Sequence, residues 1–359
     1  WQSFLTIQST VQGKSLNDDH FTFACRTRAW MSTHVRLAGA PHVTRAGFTR
    51  GWAFLVARRW LTHLTLSQLS DWDVSLLVDV ADTLEQLELR QCRIRPVDFA
   101  AVGRLGHLRR LVVHGGRLRV LPLAHLRHLT QLQELEIDGG PAGDTTSLRD
   151  LRNLISLRSL SLRSCHLDAG AARDLLPLAA TLQTLVVASF RRDDDIAILL
   201  GLPNLRSLSL GGIVGPVGYE QLARLVGLTD LSLWWHSSST ANASLSATLA
   251  ALSQLQTLSL APSLFTRAPM PLLPTTEGHP LTTLHLRSIV LTPTSAAQLR
   301  ALPHLESLVL RDCAVTNDLL AIIVEDNEQL AQVRVEGSHM LTDDVATSTG
   351  CPTVTLHRA

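Results

Sequence analysis

Three groups of residues in this chain have the types and spacing that chemistry or binding would need. Cys165 and His166 are adjacent, and a thiol beside an imidazole can pair a nucleophile with its base. Adjacent residues at the end of an extended segment point in divergent directions, so the two side chains are expected not to cooperate. Asp193, Asp194 and Asp195 could offer oxygen ligands to a divalent cation. They also precede the apolar run 196–200, where acidic side chains suit the positive end of a helix. The third group could bind rather than react. It comprises Trp234, the acidic Glu134, Glu136 and Asp138, and the basic His285, Arg287, Arg311 and Arg334. No Cys-x-x-Cys pair, His-Glu-x-x-His segment or glycine-rich phosphate loop accompanies them. No catalytic, cofactor or metal site is therefore expected.

A repeat must position these residues. The pattern L-x-x-L-x-L, with Val or Ile allowed, starts at Leu61, Leu84, Leu108, Leu132, Leu157 and Leu182. It starts again at Leu205, Leu228, Leu255, Leu281, Leu305 and Leu330, and a worn copy, CPTVTL, begins at Cys351. The twelve full copies follow one another at intervals of 23 to 27 residues. Each L-x-L core alternates with period two, which predicts a short strand with leucines on one side. The stretches 96–105, 169–178, 219–225, 295–302 and 316–324 read as short amphipathic helices. Parallel strands stacked about 4.8 Å apart and backed by wider helices must curve. The expected fold is thus an α/β solenoid, a horseshoe with about twelve parallel concave strands and convex helices.

This geometry predicts which side chains line the concave face. They are the residues between and beside the last two leucines of each copy, such as Arg110/Val112/His114, Glu134/Glu136/Asp138 and Ser159/Ser161/Arg163. An acidic patch at Glu134, Glu136 and Asp138 has Arg110 and Arg163 as expected neighbours. A neutral middle of Ser, Thr, Gly and Ala surrounds Trp234, and a basic strip of Arg287, Arg311 and Arg334 follows. An exposed Trp beside small neighbours is a typical binding anchor. Packing of Trp234 beneath Trp235 and the segment 236–254 is the alternative.

Over residues 61–359 the chain resembles the leucine-rich-repeat superfamily. Cys92, Cys165 and Cys313 each stand three residues after the last leucine of their copy, and CAVTNDLLAII follows from Cys313. That is similar to the cysteine-containing repeats of F-box/leucine-rich-repeat proteins, where a Thr or Asp opens the convex helix by capping its free N–H groups. The nearest two of these cysteines are three coils, about 14 Å, apart, beyond the roughly 7 Å that a disulfide can span. Buried, reduced thiols are expected, which favours an intracellular, cytoplasmic setting. The sequon Asn242-Ala243-Ser244, expected in the longest inter-strand loop, points the other way.

Residues 1–60 lack the pattern and are rich in aromatics, from Trp1 and Phe4 to Trp52, Phe54 and Trp60. A solenoid needs its first coil covered, so this segment is expected to be a helical cap. The stretch SLNDDHFTFACRTRAW, residues 15–30, resembles the closing half of an F-box, with a spacing from Cys25-Arg26 to Trp30 two residues longer. The resemblance implies that this end docks the adaptor of a cullin-type ubiquitin ligase. The domain boundary is expected at 60/61. A chain opening on Trp1 rather than Met is expected to continue upstream.

Composition bounds the function. The chain has 359 residues, 45% of them hydrophobic but only 4% aromatic, so its core must be aliphatic. A formal net charge of +1 argues against a nucleic-acid or acidic-membrane surface. No apolar run is long enough to span a bilayer. The expected function is a non-catalytic protein-interaction scaffold that holds its partner on the concave face. A ubiquitin-ligase substrate receptor is one specific form. A structural subunit of a large assembly and a small-ligand sensor near Trp234 stay open as alternatives.

Overall fold

The L-x-L segment of each of the twelve full copies becomes a short strand whose leucines, or the Val and Ile in their place, are buried. In the computed structural model the described residues are 4–8, 10–11, 14–15, 19, 22, 25–26, 33–38, 44–57, 60–69, 72–92, 94–115, 123–138, 148–213, 215–235, 239–262, 268–275, 278–325, 327, 329–337 and 354–357. The chain forms two compact units, residues 1–186 and 187–359.

In the first unit the ladder runs β1 (Phe4–Gln8), β2 (His34–Ala38), β3 (His63–Ser67), β4 (Gln86–Arg90), β5 (Arg110–His114), β6 (Glu134–Asp138) and β7 (Ser159–Leu167). All six pairings are parallel and keep repeat positions in register: Val35, Leu64, Leu87, Leu111, Leu135 and Leu160 stand in one row. Such a row is wholly buried, and full burial of each leucine contributes about 1.5–3 kcal/mol. β1 and β2 lie in the segment that the sequence pattern left outside the repeat. Their copies keep the last two apolar positions, Leu5/Ile7 and Val35/Leu37, but carry Gln2 and Ser32 where a leading leucine would stand. The rest of residues 15–30, apart from Ser15, Asp19, Thr22, Cys25 and Arg26, lies outside the described residues.

Strand β8 (Thr184–Phe190) spans the division between the units. The second unit stacks β9 (Ser207–Ile213), β10 (Asp230–Trp235), β11 (Thr257–Pro262), β12 (Thr283–Arg287), β13 (Ser307–Arg311), β14 (Gln332–Glu336) and β15 (Val354–His357). Leu208, Leu231, Leu258, Leu284, Leu308, Val333 and Val354 share a row, so the worn C-terminal copy adds a parallel strand to the ladder.

The coils turn by a shared device. The residue after a strand adopts a left-handed conformation at Gln68, Gln91, Ser288 and Asp312, and at Gly115 and Gly337. This twist aims its N–H at the last carbonyl of the next strand, as from Gln91 to His114 (2.7 Å) and from Asp312 to Glu336 (2.8 Å). In two such coils a cysteine follows. Cys92 Sγ donates to the carbonyls of Leu66 and Arg90, and Cys313 Sγ to those of Leu286 and Arg311, at 3.3–3.5 Å. The cysteine slot thus satisfies carbonyls at the start of the outward turn.

Outside the strands, the coils carry short helices. Several are 3₁₀, including Val74–Val80, Arg149–Asn153 and Asp193–Gly201. The longest interval, from Leu228 to Leu255, accommodates a 13-residue α-helix, Ser239–Ala251. The expected caps are present: Asp168 accepts from Ala171 N, Thr292 forms a capping box with Ser295, and Thr316 accepts from Leu319 N. The comparable Thr-Asp of SHMLTDDVA, residues 338–346, lies outside the described residues. Between β2 and β3 an α-helix, Arg45–Val56, buries Phe48, Trp52 and Leu55, and Trp52 Nε1 donates to Asp79 at 3.1 Å.

Candidate functional site

The solvent-facing phase of the strands carries the candidate residues in two separate patches, one in each unit. In the first unit, register sets Gln86, Arg110, Glu134 and Ser159 in one row and Glu88, Val112, Glu136 and Ser161 in the next. Oppositely charged groups therefore meet across coils. Arg110 pairs with Glu134 and, at 3.7 Å, with Glu88. Glu136 lies 3.2 Å from both His114 Nε2 and Arg163 Nε. Asp138 accepts from Ser164 at 2.8 Å. Arg110 and Arg163 thus stand beside Glu134 and Glu136, while Asp138 is held by a serine hydroxyl.

This lattice also changes the exposure of the face. Val112 and Ser161 were expected to meet solvent, yet they are only 1% and 6% exposed. Val112 stands between Glu88 and Glu136 on the flanking strands, whose longer side chains reach sideways to Arg110, His114 and Arg163. Long paired side chains close over short ones in the same row. The Ser161 hydroxyl has no hydrogen-bond partner there.

In the second unit Trp234 is 55% exposed and stands in register with Gly211 and Ala261. A Cβ on Gly211 would lie 3.4 Å from Trp234 Cε3 and 2.3 Å from the Ala188 carbonyl oxygen. Only glycine leaves that floor open. Beside this row Ser209, Ser232, Ser259 and His285 stand side by side. The segment 236–254, whose folding over Trp234 was the alternative reading, is the helix Ser239–Ala251 over much of its length, and the indole is 55% exposed. The sequon Asn242-Ala243-Ser244 lies on that helix, not in a loop: Asn242 O accepts from Ser246 Oγ and Ser244 O from Thr248 Oγ1. The regular pattern of Leu245, Leu249 and Leu252, all buried, outweighs the polar run before it.

Arg287, Arg311 and Arg334 do share a surface, but not as a bare basic strip. Arg287 pairs with Asp312 at 3.3 Å, while Glu336 accepts from Arg334 at 3.1 Å and lies 3.6 Å from Arg311. Asp312 was not among the expected site residues. Its position just after a strand, where a left-handed residue such as Asp or Asn is tolerated, was the available signal. His285, across from Val309, is exposed in part, and burial of the remainder lowers its pKa.

Cys165 and His166 are consecutive residues of β7, with Cys165 buried, and burial pushes its thiol pKa up to about 11. That opposes the thiolate a nucleophile needs. Of the three aspartates, Asp193 accepts from Gly215 N at 2.6 Å, Asp194 pairs with Arg192, and Asp195 is buried. No group of three or more metal-ligating side chains occurs among the described residues. No helix among them is long and apolar enough to cross a membrane.

No family model matches the sequence, and no curated protein matches it. Among solved structures the chain is similar to an internalin from Listeria monocytogenes, at 18% identity and a TM-score of 0.49, over 82% of this chain and 81% of that one. A leucine-rich-repeat protein of Leptospira interrogans gives 15% identity and a TM-score of 0.48, over 96% and 86%. The TLR13–ssRNA13 complex gives 15% and 0.48, over 99% of this chain and 50% of that one, so the chain spans half of its length. By the register of their own coils, with leucine over leucine from strand to strand, both units have leucine-rich-repeat architecture.

Proposed function

We propose that this chain is a non-catalytic interaction module that holds a protein partner on the solvent-facing side of its strands. The observation that carries this reading is Trp234, a half-exposed indole over a glycine floor within a row of small side chains. Aromatic anchors ringed by polar groups concentrate binding energy. His285, Arg287, Arg311 and Arg334 supply the charged rim in the same unit. Glu134, Glu136 and Asp138 form a second, separate contact patch in the first unit. Because both sets are internally paired and partly exposed, they contribute orientation more than affinity.

The finer form of this reading is a substrate receptor of a cullin-type ubiquitin ligase, with residues 1–60 as the cap that docks the adaptor. A structural subunit of a stable assembly is the competing form. Buried thiols that donate to backbone carbonyls support an intracellular, cytoplasmic setting.

The test compares the full chain with Trp234→Ala in affinity capture from native extract, followed by direct binding of the captured protein. The substitution is expected to weaken binding by about 2 kcal/mol or more, roughly thirtyfold in Kd, with an unchanged thermal midpoint. Unchanged binding with a lowered midpoint would show Trp234 to be packing, and would move the partner surface to the helices or the cap. Co-capture of a cullin adaptor supports the receptor form, and a fixed set of subunits without one supports the assembly form.

A further inference from the structure

Asp230 opens β10 and is the only charged residue in the neighbouring strands β9, β10 and β11. It shares the solvent-facing phase with Trp234, two alternations further along the same strand. The carboxylate is half-buried, and the Thr229 hydroxyl donates to its Oδ2 at 2.7 Å. Among the described residues no basic side chain is ion-paired with it. Arg206, in the preceding coil, directs Nη1 at the carbonyls of Pro203, Leu205 and Gly227 instead. By contrast, Glu134 and Glu136 in the first unit and Glu336 in the second each meet an arginine.

Register surrounds this carboxylate with hydroxyls. Ser207 of β9 and Thr257 of β11 flank Asp230, and Ser209, Ser232 and Ser259 form the next row. None of these five side chains makes a hydrogen bond among the described residues. We propose that Asp230 seats a lysine ammonium of the protein partner, carried on an extended segment whose apolar side chain covers Trp234. This deepens the reading of Trp234 as an anchor and rests on it.

Charge and donor geometry select the ligand. A carboxylate without a cation, half out of water, repels an acidic group and attracts a basic one. An ammonium brings three N–H donors. One meets Asp230 Oδ1, the oxygen that Thr229 leaves open, and the hydroxyls of Ser207 and Thr257 accept the others from strands about 4.8 Å to either side. A guanidinium fork takes both carboxylate oxygens side by side, and Oδ2 already accepts from Thr229. Four residues of extended chain cover about 13 Å, and side chains at i and i+4 leave the same face. A lysine and an apolar residue at that spacing therefore match Asp230 and Trp234 on their own strand.

Two synthetic peptides and the full chain provide the test. One is Ser-Lys-Thr-Ser-Thr-Phe-Ser with both ends blocked, and the other carries Nε-acetyl-lysine in place of lysine. Acetylation is expected to raise Kd about tenfold, the lower end of what a hydrogen bond to a charged group supplies. In Asp230→Asn, which keeps an acceptor for Thr229, the two peptides are expected to bind alike. Trp234→Ala should weaken both peptides and leave the acetylation factor in place. Equal binding of the two peptides to the unaltered chain, binding of neither, or an acetylation factor that survives in Asp230→Asn would overturn the inference. The anchor reading fails separately, if Trp234→Ala changes neither Kd while the factor still depends on Asp230.

Discussion

Gly211→Ala isolates the packing that exposes Trp234. The added Cβ would sit 2.3 Å from the Ala188 carbonyl oxygen, a backbone atom that cannot rotate away, and 3.4 Å from Trp234 Cε3. Relief requires backbone movement, and overpacking of this kind costs about 1–3 kcal/mol. For a unit of this size each kcal/mol lowers Tm by about 2–4 °C. Gly106→Ala is the matched control, because a Cβ there meets nothing within 4 Å and its φ lies outside the left-handed region. That change is expected to be neutral, or stabilising by up to about 1 kcal/mol, through the unfolded chain. Urea and thermal unfolding of the two variants beside the parent chain provide the measurement. The indole rests against the altered site, so Gly211→Ala should also weaken partner binding, though less than Trp234→Ala. Equal stability of Gly211→Ala and the parent, or equal destabilisation by both glycine variants, would refute the reasoning.

Two further outcomes follow from the coils themselves. Burial lifts the thiols of Cys92, Cys165 and Cys313 to about 11 and that of Cys25 to about 12. With thiolate suppressed about a hundredfold relative to an ordinary pKa of 9.0, these four should react with a disulfide reagent at pH 8 at least that much more slowly than in the unfolded chain. Their raised values favour the folded state below pH 9, and this contribution is lost as pH rises toward 11, so the denaturation midpoint should fall across that window. Thr316→Ala removes the hydroxyl that caps the helix Asn317–Val324 and should cost about 1 kcal/mol in urea unfolding, with the m-value unchanged.

Much of the fold is written in local pattern. Alternation with period two assigns each leucine of L-x-L inward and its neighbours outward, and 23-to-27-residue spacing brings those segments into register whatever lies between them. The same logic assigned Cys92 and Cys313 to the turn and Thr316 to a helix cap, because each of those roles depends on a few adjacent residues. Where a copy loses its leading leucine, as in β1 and β2, the pattern falls to two apolar positions and no longer stands out; pairing with β3 supplies what sequence periodicity lacks. Exposure and charge on the strand face were decided only by stacking. Val112 is covered by side chains from neighbouring coils, and Arg287 and Arg311 are paired with Asp312 and Glu336 of the next coil, about 25 residues away in sequence. Their reach depends on rotamers and register that no single copy contains. Trp234 shows both sides of this division: alternation placed it on the outer phase, but its openness depends on Gly211 one coil earlier, where a single methyl would meet the backbone.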